Sequence, residues 1–123
     1  MAIIGLDLGG TKTAVIAADD QGRIGETRRF PTTDPDSTFE RICLSIEELT
    51  DVDAAPLVGI SCGDPQDSAR GLILSPPNMP GWDEVPIVAR VAERFGAEAY
   101  LMNDANAGAL AEWRYGAARG FRN

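Results

Sequence analysis

The chain has no histidine and only two cysteines among its 123 residues. Cys43 and Cys62 stand far apart, and neither has a close-spaced partner. Structural zinc needs cysteine and histidine clustered at short spacings, so we expect no zinc site within this chain. The same scarcity argues against a disulfide scaffold.

Long apolar runs and an excess of positive charge are also missing. No stretch approaches the roughly 20 apolar residues that span a bilayer, and the first residues lack the basic and then apolar segments of a signal peptide. Nineteen acidic against eleven basic residues give a net charge of −8, which repels nucleic acid and anionic lipid. We therefore expect a cytoplasmic protein that binds neither nucleic acid nor membranes.

What is present suffices for one globular domain, because hydrophobic residues make up 44% of the chain. Apolar patterning predicts strands over residues 2–8, 13–18 and 23–31, separated by short turns. These three strands form an antiparallel meander. The third is more polar than the others, which is typical of a sheet edge.

A helix and a buried strand follow the meander. Asp34 and Pro35 supply an N-cap and a first-turn proline, and one apolar stripe runs over residues 39–49. Residues 56–61 then read as a buried strand. The Gly, Pro and Ser-rich stretch over residues 62–82 is predicted to be a long loop, and loops of that length are usually functional.

The last part of the chain continues the alternation. Asp83 is predicted to cap a second helix, with Val85 on its apolar face and Gly96 at its end. Residues 99–102 form the next strand, and a third helix is predicted over residues 103–116. A meander followed by alternating helices and strands predicts an α/β fold with a mixed sheet, whose later strands join in parallel through crossover helices.

The segment GLDLGGTKT over residues 5–13 invites comparison with a Walker phosphate loop. The match fails because lysine stands one position late and a strand, not a helix, follows. A glycine hairpin is still able to bring N–H groups, a hydroxyl and a positive charge to a phosphate. The residues that would do so are Gly9, Gly10, Thr11 and Lys12. Asp7 would repel phosphates unless a divalent cation lay between them, so it implies Mg²⁺. Taken alone, the motif favours a plain hairpin with a glycine turn and an exposed aspartate, because short glycine patterns are common.

Two further segments carry polar side chains. The loop over residues 75–82 contains Asn78, whose amide donates and accepts as a sugar hydroxyl requires, and Trp82. The alternatives are an asparagine that satisfies turn backbone and a tryptophan that belongs to the core.

Asn103 and Asp104 lie where a strand ends, the position at which open α/β sheets bind ligands. Asp104 would accept the proton of an attacking hydroxyl, and the alternative is simple capping of a helix.

Together and in this order, these segments resemble the ROK family of sugar kinases and sugar-responsive repressors. The similar segments are residues 7–12, 59–65, 75–82, 103–106 and 109–112. The resemblance implies the actin-like, ribonuclease H-like ATPase fold. It also implies a glucokinase-like enzyme that transfers the γ-phosphoryl group of ATP to a hexose hydroxyl, in a complete protein that forms a homo-oligomer.

The resemblance also implies roles for single residues. Asp7 through Lys12 would contact the ATP phosphates and Mg²⁺. Gly63, Asn78, Asn103 and Asp104 would bind the hexose, with Asp104 as the catalytic base. A carboxylate at a helix amino terminus keeps a low pKa and is a weak base. Phosphoryl transfer depends mainly on positioning of the attacking hydroxyl, so Asp104 is still able to serve as the base.

Two departures from the family pattern affect these expectations. Asp64 stands where the family usually has a second glycine, which leaves the preferred hexose open among glucose, fructose, mannose and related sugars. Family members continue with a second domain that carries another phosphate loop, the adenosine site and a zinc cluster. We therefore interpret residues 1–123 as an amino-terminal domain that is inactive alone. A sugar-sensing regulator and a non-catalytic sugar-binding module are the alternatives. We do not expect the helix-turn-helix that a regulator of this family carries ahead of the first strand, because that strand is predicted from residue 2 and the net charge is negative.

Overall fold

The computed structural model describes residues 3–19, 23–50, 56–63, 65–77 and 79–103, with Asn103 described by its main chain only. In chain order the elements are β1 (Ile3–Leu8), β2 (Lys12–Ala18), β3 (Ile24–Pro31), α1 (Pro35–Leu49), β4 (Leu57–Cys62), β5 (Gln66–Asp67), β6 (Leu72–Ile73), α2 (Ile87–Phe95) and β7 (Glu98–Asn103). The helix predicted from position 103 to 116 lies outside the described residues, apart from Asn103 itself, which ends β7. Neither α1 nor α2 is long and apolar enough to cross a membrane.

The main sheet has five strands in the order β3-β2-β1-β4-β7. The strand β1 pairs antiparallel with β2, and β2 pairs antiparallel with β3, which confirms the predicted meander and the edge position of its third strand. On its other side β1 pairs in parallel with β4, and β4 pairs in parallel with β7. The helices α1 and α2 are the connections before β4 and before β7, so the prediction of a mixed sheet with crossover helices is confirmed.

One face of the sheet is buried beneath both helices. Alternate strand residues such as Leu6, Val15 and Ile60 join the buried face of α1, including Ile42, and that of α2, including Val91. Each such side chain contributes about 1.5–3 kcal/mol when it leaves water. This packing holds the carboxyl ends of the parallel strands in place.

The start of α1 follows the prediction. The Asp34 carboxylate accepts a hydrogen bond from the Ser37 N–H at 3.0 Å, and Pro35 occupies the first turn. This hydrogen bond favours the charged carboxylate and lowers the pKa of Asp34. The predicted cap is confirmed.

The predicted start of α2 is wrong. Asp83 does not cap the helix, because its carboxylate accepts a hydrogen bond from the Ser75 hydroxyl in the preceding loop. Val85 is not helical either. It pairs with Ile73 through two main-chain hydrogen bonds of 2.9 Å, and α2 begins only at Ile87. The predicted end is confirmed, since Gly96 adopts a left-handed conformation with φ of 63°.

The stretch predicted as a long loop is partly ordered by a small hairpin. The strands β5 and β6 pair antiparallel, and Gly71 between them has φ of 69°. A Cβ at this position would lie 2.6 Å from the Cβ of Val88, so only glycine allows the hairpin to rest against α2.

Candidate functional site

The carboxyl ends of three parallel strands meet at one edge of the sheet. Leu8, Cys62 and Asn103 stand in one row across β1, β4 and β7. Neighbouring strands lie about 4.8 Å apart, so the ends of β1 and β7 are separated by roughly 10 Å. Gly9 and Gly63 come directly after two of these ends. Open α/β sheets bind ligands in the crevice beyond such an edge.

A three-residue turn, Gly9-Gly10-Thr11, connects β1 to β2 at this edge. The Gly9 N–H donates to the carbonyl of Lys12 at 3.0 Å. A Cβ on Gly9 would lie 2.9 Å from that same oxygen, so the turn requires glycine there. The Gly9 N–H is therefore committed to the hairpin, and the N–H of Gly10 becomes the stronger candidate for a phosphate contact. The side chains of Thr11 and Lys12 are exposed at the tip, and Lys12 is the only lysine of the chain.

Asp7 lies on the opposite face of the sheet from the two helices. Its strand neighbours Leu6 and Leu8 are buried, whereas Asp7 is exposed. In the sheet it stands beside Ser61 of β4. Among the residues that the structure describes, no three histidine, cysteine, aspartate or glutamate side chains form a metal-binding group. A single carboxylate fits Mg²⁺, which usually takes one or two protein carboxylates and fills its shell with phosphate and water.

The glycine turn is braced by Thr32, which the sequence patterns did not predict to be part of the site. The Thr32 hydroxyl donates to the Gly9 carbonyl at 2.7 Å, and the Thr32 N–H donates to the Thr11 carbonyl at 2.9 Å. The hydroxyl hydrogen of Thr32 is already donated to Gly9. The buried Thr13 hydroxyl is therefore the donor in its 2.7 Å contact with the Thr32 hydroxyl. No local sequence pattern around Thr32 indicates this contact, which arises from the pairing of β2 with β3.

The loop over residues 75–82 is anchored in the core by Trp82. This side chain is 1% exposed, and its indole N–H donates to the Thr33 carbonyl at 2.9 Å. Trp82 is therefore a core residue, as one of the two sequence interpretations held. Its carbonyl accepts from the Ser75 N–H at 2.8 Å, and Ser75 adopts a left-handed conformation with φ of 55°. Strained backbone of this kind is common at ligand-binding sites.

The remaining predicted site residues divide into two groups. Gly63 is half-buried at the end of β4, and a Cβ there would meet no atom within 4 Å. Asn78 and Asp104, like the divergent Asp64, lie outside the described residues. The structure thus brings together Asp7, the glycine turn, Gly63 and the main chain of Asn103 at one edge.

Neither cysteine belongs to this chemistry. Cys43 lies within α1 and is fully buried, and burial raises the pKa of its thiol to about 11. A thiol that stays protonated at neutral pH is a poor nucleophile. Cys62 is buried too, with its sulfur 3.9 Å from that of Met79.

Comparison with known proteins places these features in a family. A sequence profile of the ROK family matches residues 3–123. The glucokinase of Thermotoga maritima is 36% identical over 123 residues, which cover 98% of this chain and 39% of that protein. The crystal structure of a ROK hexokinase from Thermus thermophilus superposes with a TM-score of 0.79 at 36% identity, and covers 98% of this chain and 41% of its own. A Streptomyces griseus ROK glucokinase in complex with glucose and AMPPNP superposes with a TM-score of 0.75 at 35% identity, covering 98% and 38%. The chain thus spans about two fifths of the length of the relatives it matches.

Proposed function

The chain belongs to the ROK family and has the actin-like, ribonuclease H-like ATPase fold, and we propose that it is the amino-terminal, sugar-binding domain of a glucokinase-like hexose kinase. The complete enzyme would transfer the γ-phosphoryl group of ATP to a hexose hydroxyl. One observation carries this proposal. The row Leu8, Cys62 and Asn103 sets a glycine turn, the Gly63 loop and the end of β7 side by side, about 10 Å across, which suits a phosphate next to a sugar.

The phosphate end of the site is the glycine turn. The Gly10 N–H, the Thr11 hydroxyl and the Lys12 ammonium group would contact the ATP phosphates, since small backbone and a positive charge suit a polyanion. Asp7 would hold Mg²⁺, directly or through water. When bound, that ion offsets the charge that the phosphates and the carboxylate would otherwise place together.

The sugar end lies beyond β4 and β7. Gly63, Asn78 and Asn103 would bind hexose hydroxyls, and Asp104 would orient the attacking hydroxyl and accept its proton. In phosphoryl transfer most of the rate enhancement comes from positioning and charge stabilisation. Holding the two ends at a fixed separation on one rigid sheet supplies the positioning.

The other parts of the enzyme would come from outside these 123 residues. The adenosine site, a second phosphate loop and the zinc cluster are expected in the remaining three fifths of a relative's length. Alone, this chain should therefore bind ATP weakly and turn nothing over. We propose that the complete protein works in the cytoplasm, as a homo-oligomer, with glucose as the first sugar to test.

The test compares two aspartates in the complete protein. Asp7→Ala should lower kcat with Mg²⁺ATP and hexose by about 10²–10³, the usual loss when one group that stabilises transferring charge is removed. Asp36→Ala is the matched control, because Asp36 is an exposed residue of α1, outside the glycine turn, whose carboxylate pairs with Arg90 at 2.9 Å. It should stay near wild type. Full activity of Asp7→Ala at limiting Mg²⁺ would remove Asp7 from the site, and sugar binding without turnover by the wild type would indicate a regulator or binding module.

A further inference from the structure

Thr32 controls the orientation of two peptide units in the glycine turn. A peptide unit is planar and trans, so a carbonyl and the N–H that follows it point in opposite directions. The Thr32 hydroxyl holds the Gly9 carbonyl at 2.7 Å, and this directs the Gly10 N–H away from Thr32. The Thr32 N–H holds the Thr11 carbonyl at 2.9 Å, and this directs the Lys12 N–H in the same way.

Thr32 is itself fixed by contacts of the next residue. The Thr33 N–H donates to the Thr38 hydroxyl of α1 at 2.9 Å, and Thr38 is fully buried. The Thr33 carbonyl accepts the indole N–H of Trp82 at 2.9 Å. Trp82 also accepts the Ser75 N–H on its own carbonyl. A continuous set of hydrogen bonds therefore joins the glycine turn, through residues 32 and 33, to the loop over residues 75–82.

From these contacts we propose that Thr32 is a positioning residue for ATP phosphates, and that Trp82 holds Thr32 in place through Thr33. The proposal rests on the kinase function proposed above. It assigns to Thr32 no contact with ATP. Its hydroxyl sets the direction of the Gly10 N–H, which would make that contact. The indole of Trp82 thereby links the loop over residues 75–82, which would contact the hexose, to the glycine turn, which would contact the phosphates.

The direct test is Thr32→Val in the complete enzyme, which keeps the shape of the side chain and removes the hydroxyl. The net contribution of one hydrogen bond corresponds to about a three- to tenfold change in affinity. The KM for ATP should therefore rise by that factor, and kcat should change less. Thr32→Ser retains the hydroxyl and should restore the wild-type KM. Thr27→Val makes the same change on β3 opposite Ile16, away from the turn, and should leave the KM for ATP unaltered.

The link to Trp82 has its own variant. Trp82→Phe keeps an aromatic ring but lacks the indole N–H, and it should raise the KM for ATP as Thr32→Val does. The double variant should show less than the product of the two single effects, because both remove parts of one connected set. If Thr32→Val proves too unstable to assay, Trp82→Phe alone carries the test. An unchanged KM for ATP in either folded variant overturns the proposal, whatever its melting temperature.

A second measurement separates this proposal from the proposed function. The Gly9 amide is hydrogen-bonded to Lys12 within the turn, so its hydrogen exchange in the 123-residue chain reports how firmly the turn is held. Thr32→Val should speed that exchange about three- to tenfold, and Thr27→Val should not. Absence of kinase activity in the wild type would refute the enzyme while exchange still tests Thr32. Unchanged exchange in Thr32→Val would refute the role of Thr32 alone.

Discussion

Replacing Gly9 with alanine tests the geometry of the phosphate turn most severely. The new Cβ would lie 2.9 Å from the Lys12 carbonyl oxygen, and ordinary contacts begin near 3.4 Å. The turn must open by about half an ångström, which weakens the 3.0 Å hydrogen bond from the Gly9 N–H to the same oxygen, at a cost of about 1 kcal/mol. Overpacking adds about 1–3 kcal/mol, and the lower entropy of the unfolded chain offsets about 1 kcal/mol. We therefore expect a net loss of about 1–3 kcal/mol.

The assay is thermal or urea unfolding of the 123-residue chain. At about 4 °C per kcal/mol, Gly9→Ala should lower Tm by roughly 4–12 °C. Gly25→Ala is the matched control, because its Cβ would meet the Ala17 carbonyl oxygen at 3.5 Å, an ordinary contact. That variant should be neutral or slightly stabilising. Equal stability of the two variants would show that the turn is not held as closely as the structure describes.

Three further predictions concern other parts of the chain. Gly71→Ala should lower the free energy of unfolding in urea by about 2–5 kcal/mol, because φ is 69° and the new Cβ would lie 2.6 Å from the Cβ of Val88. Gly81→Ala is its control. Gly81 has φ of 85° but open space around it, so that variant should lose only about 1–2 kcal/mol. The folded Cys43 thiol has a pKa of about 11 against 9.0 for the free group, so the unfolded chain loses its proton first and stability should fall, by on the order of 2 kcal/mol, between pH 9 and 11. Cys43→Val should lose less stability over this pH range. An equal loss in Cys43→Val and in the wild type would refute the role assigned to the Cys43 thiol. Asp104→Asn in the complete enzyme should lower kcat by about 10²–10⁴ with Tm unchanged, since asparagine caps a helix as well as aspartate does. Near-normal turnover in the folded variant would remove Asp104 from the mechanism.

The sheet and α1 were predictable because their signals are local. Alternating apolar residues identify strands, and a short spacing between strands favours antiparallel pairing. Asp34 and Pro35 lie next to the helix they begin, so the sequence contains the whole capping interaction. Asp7 and the glycine turn were found for the same reason, as one continuous motif.

The start of α2 and the role of Thr32 depend on contacts between distant segments. Asp83 has the sequence features of a cap, but Ser75 takes its carboxylate, and the pairing of Val85 with Ile73 keeps that segment extended. Local propensity cannot weigh such tertiary contacts. Thr32 contacts Gly9 only because β3 pairs with β2 and brings the two together. Its position along the chain carries no sign of that contact.

The central claim is that this chain forms part of a hexose kinase, and ADP release tests it most directly. The complete protein should be assayed with Mg²⁺ATP against glucose, fructose, mannose and N-acetylated hexosamines, with Asp104→Asn as the matched inactive control. We expect hexose-dependent ADP release that is lost in the variant. ADP release that no hexose stimulates, or that Asp104→Asn retains in full, would contradict the proposed function.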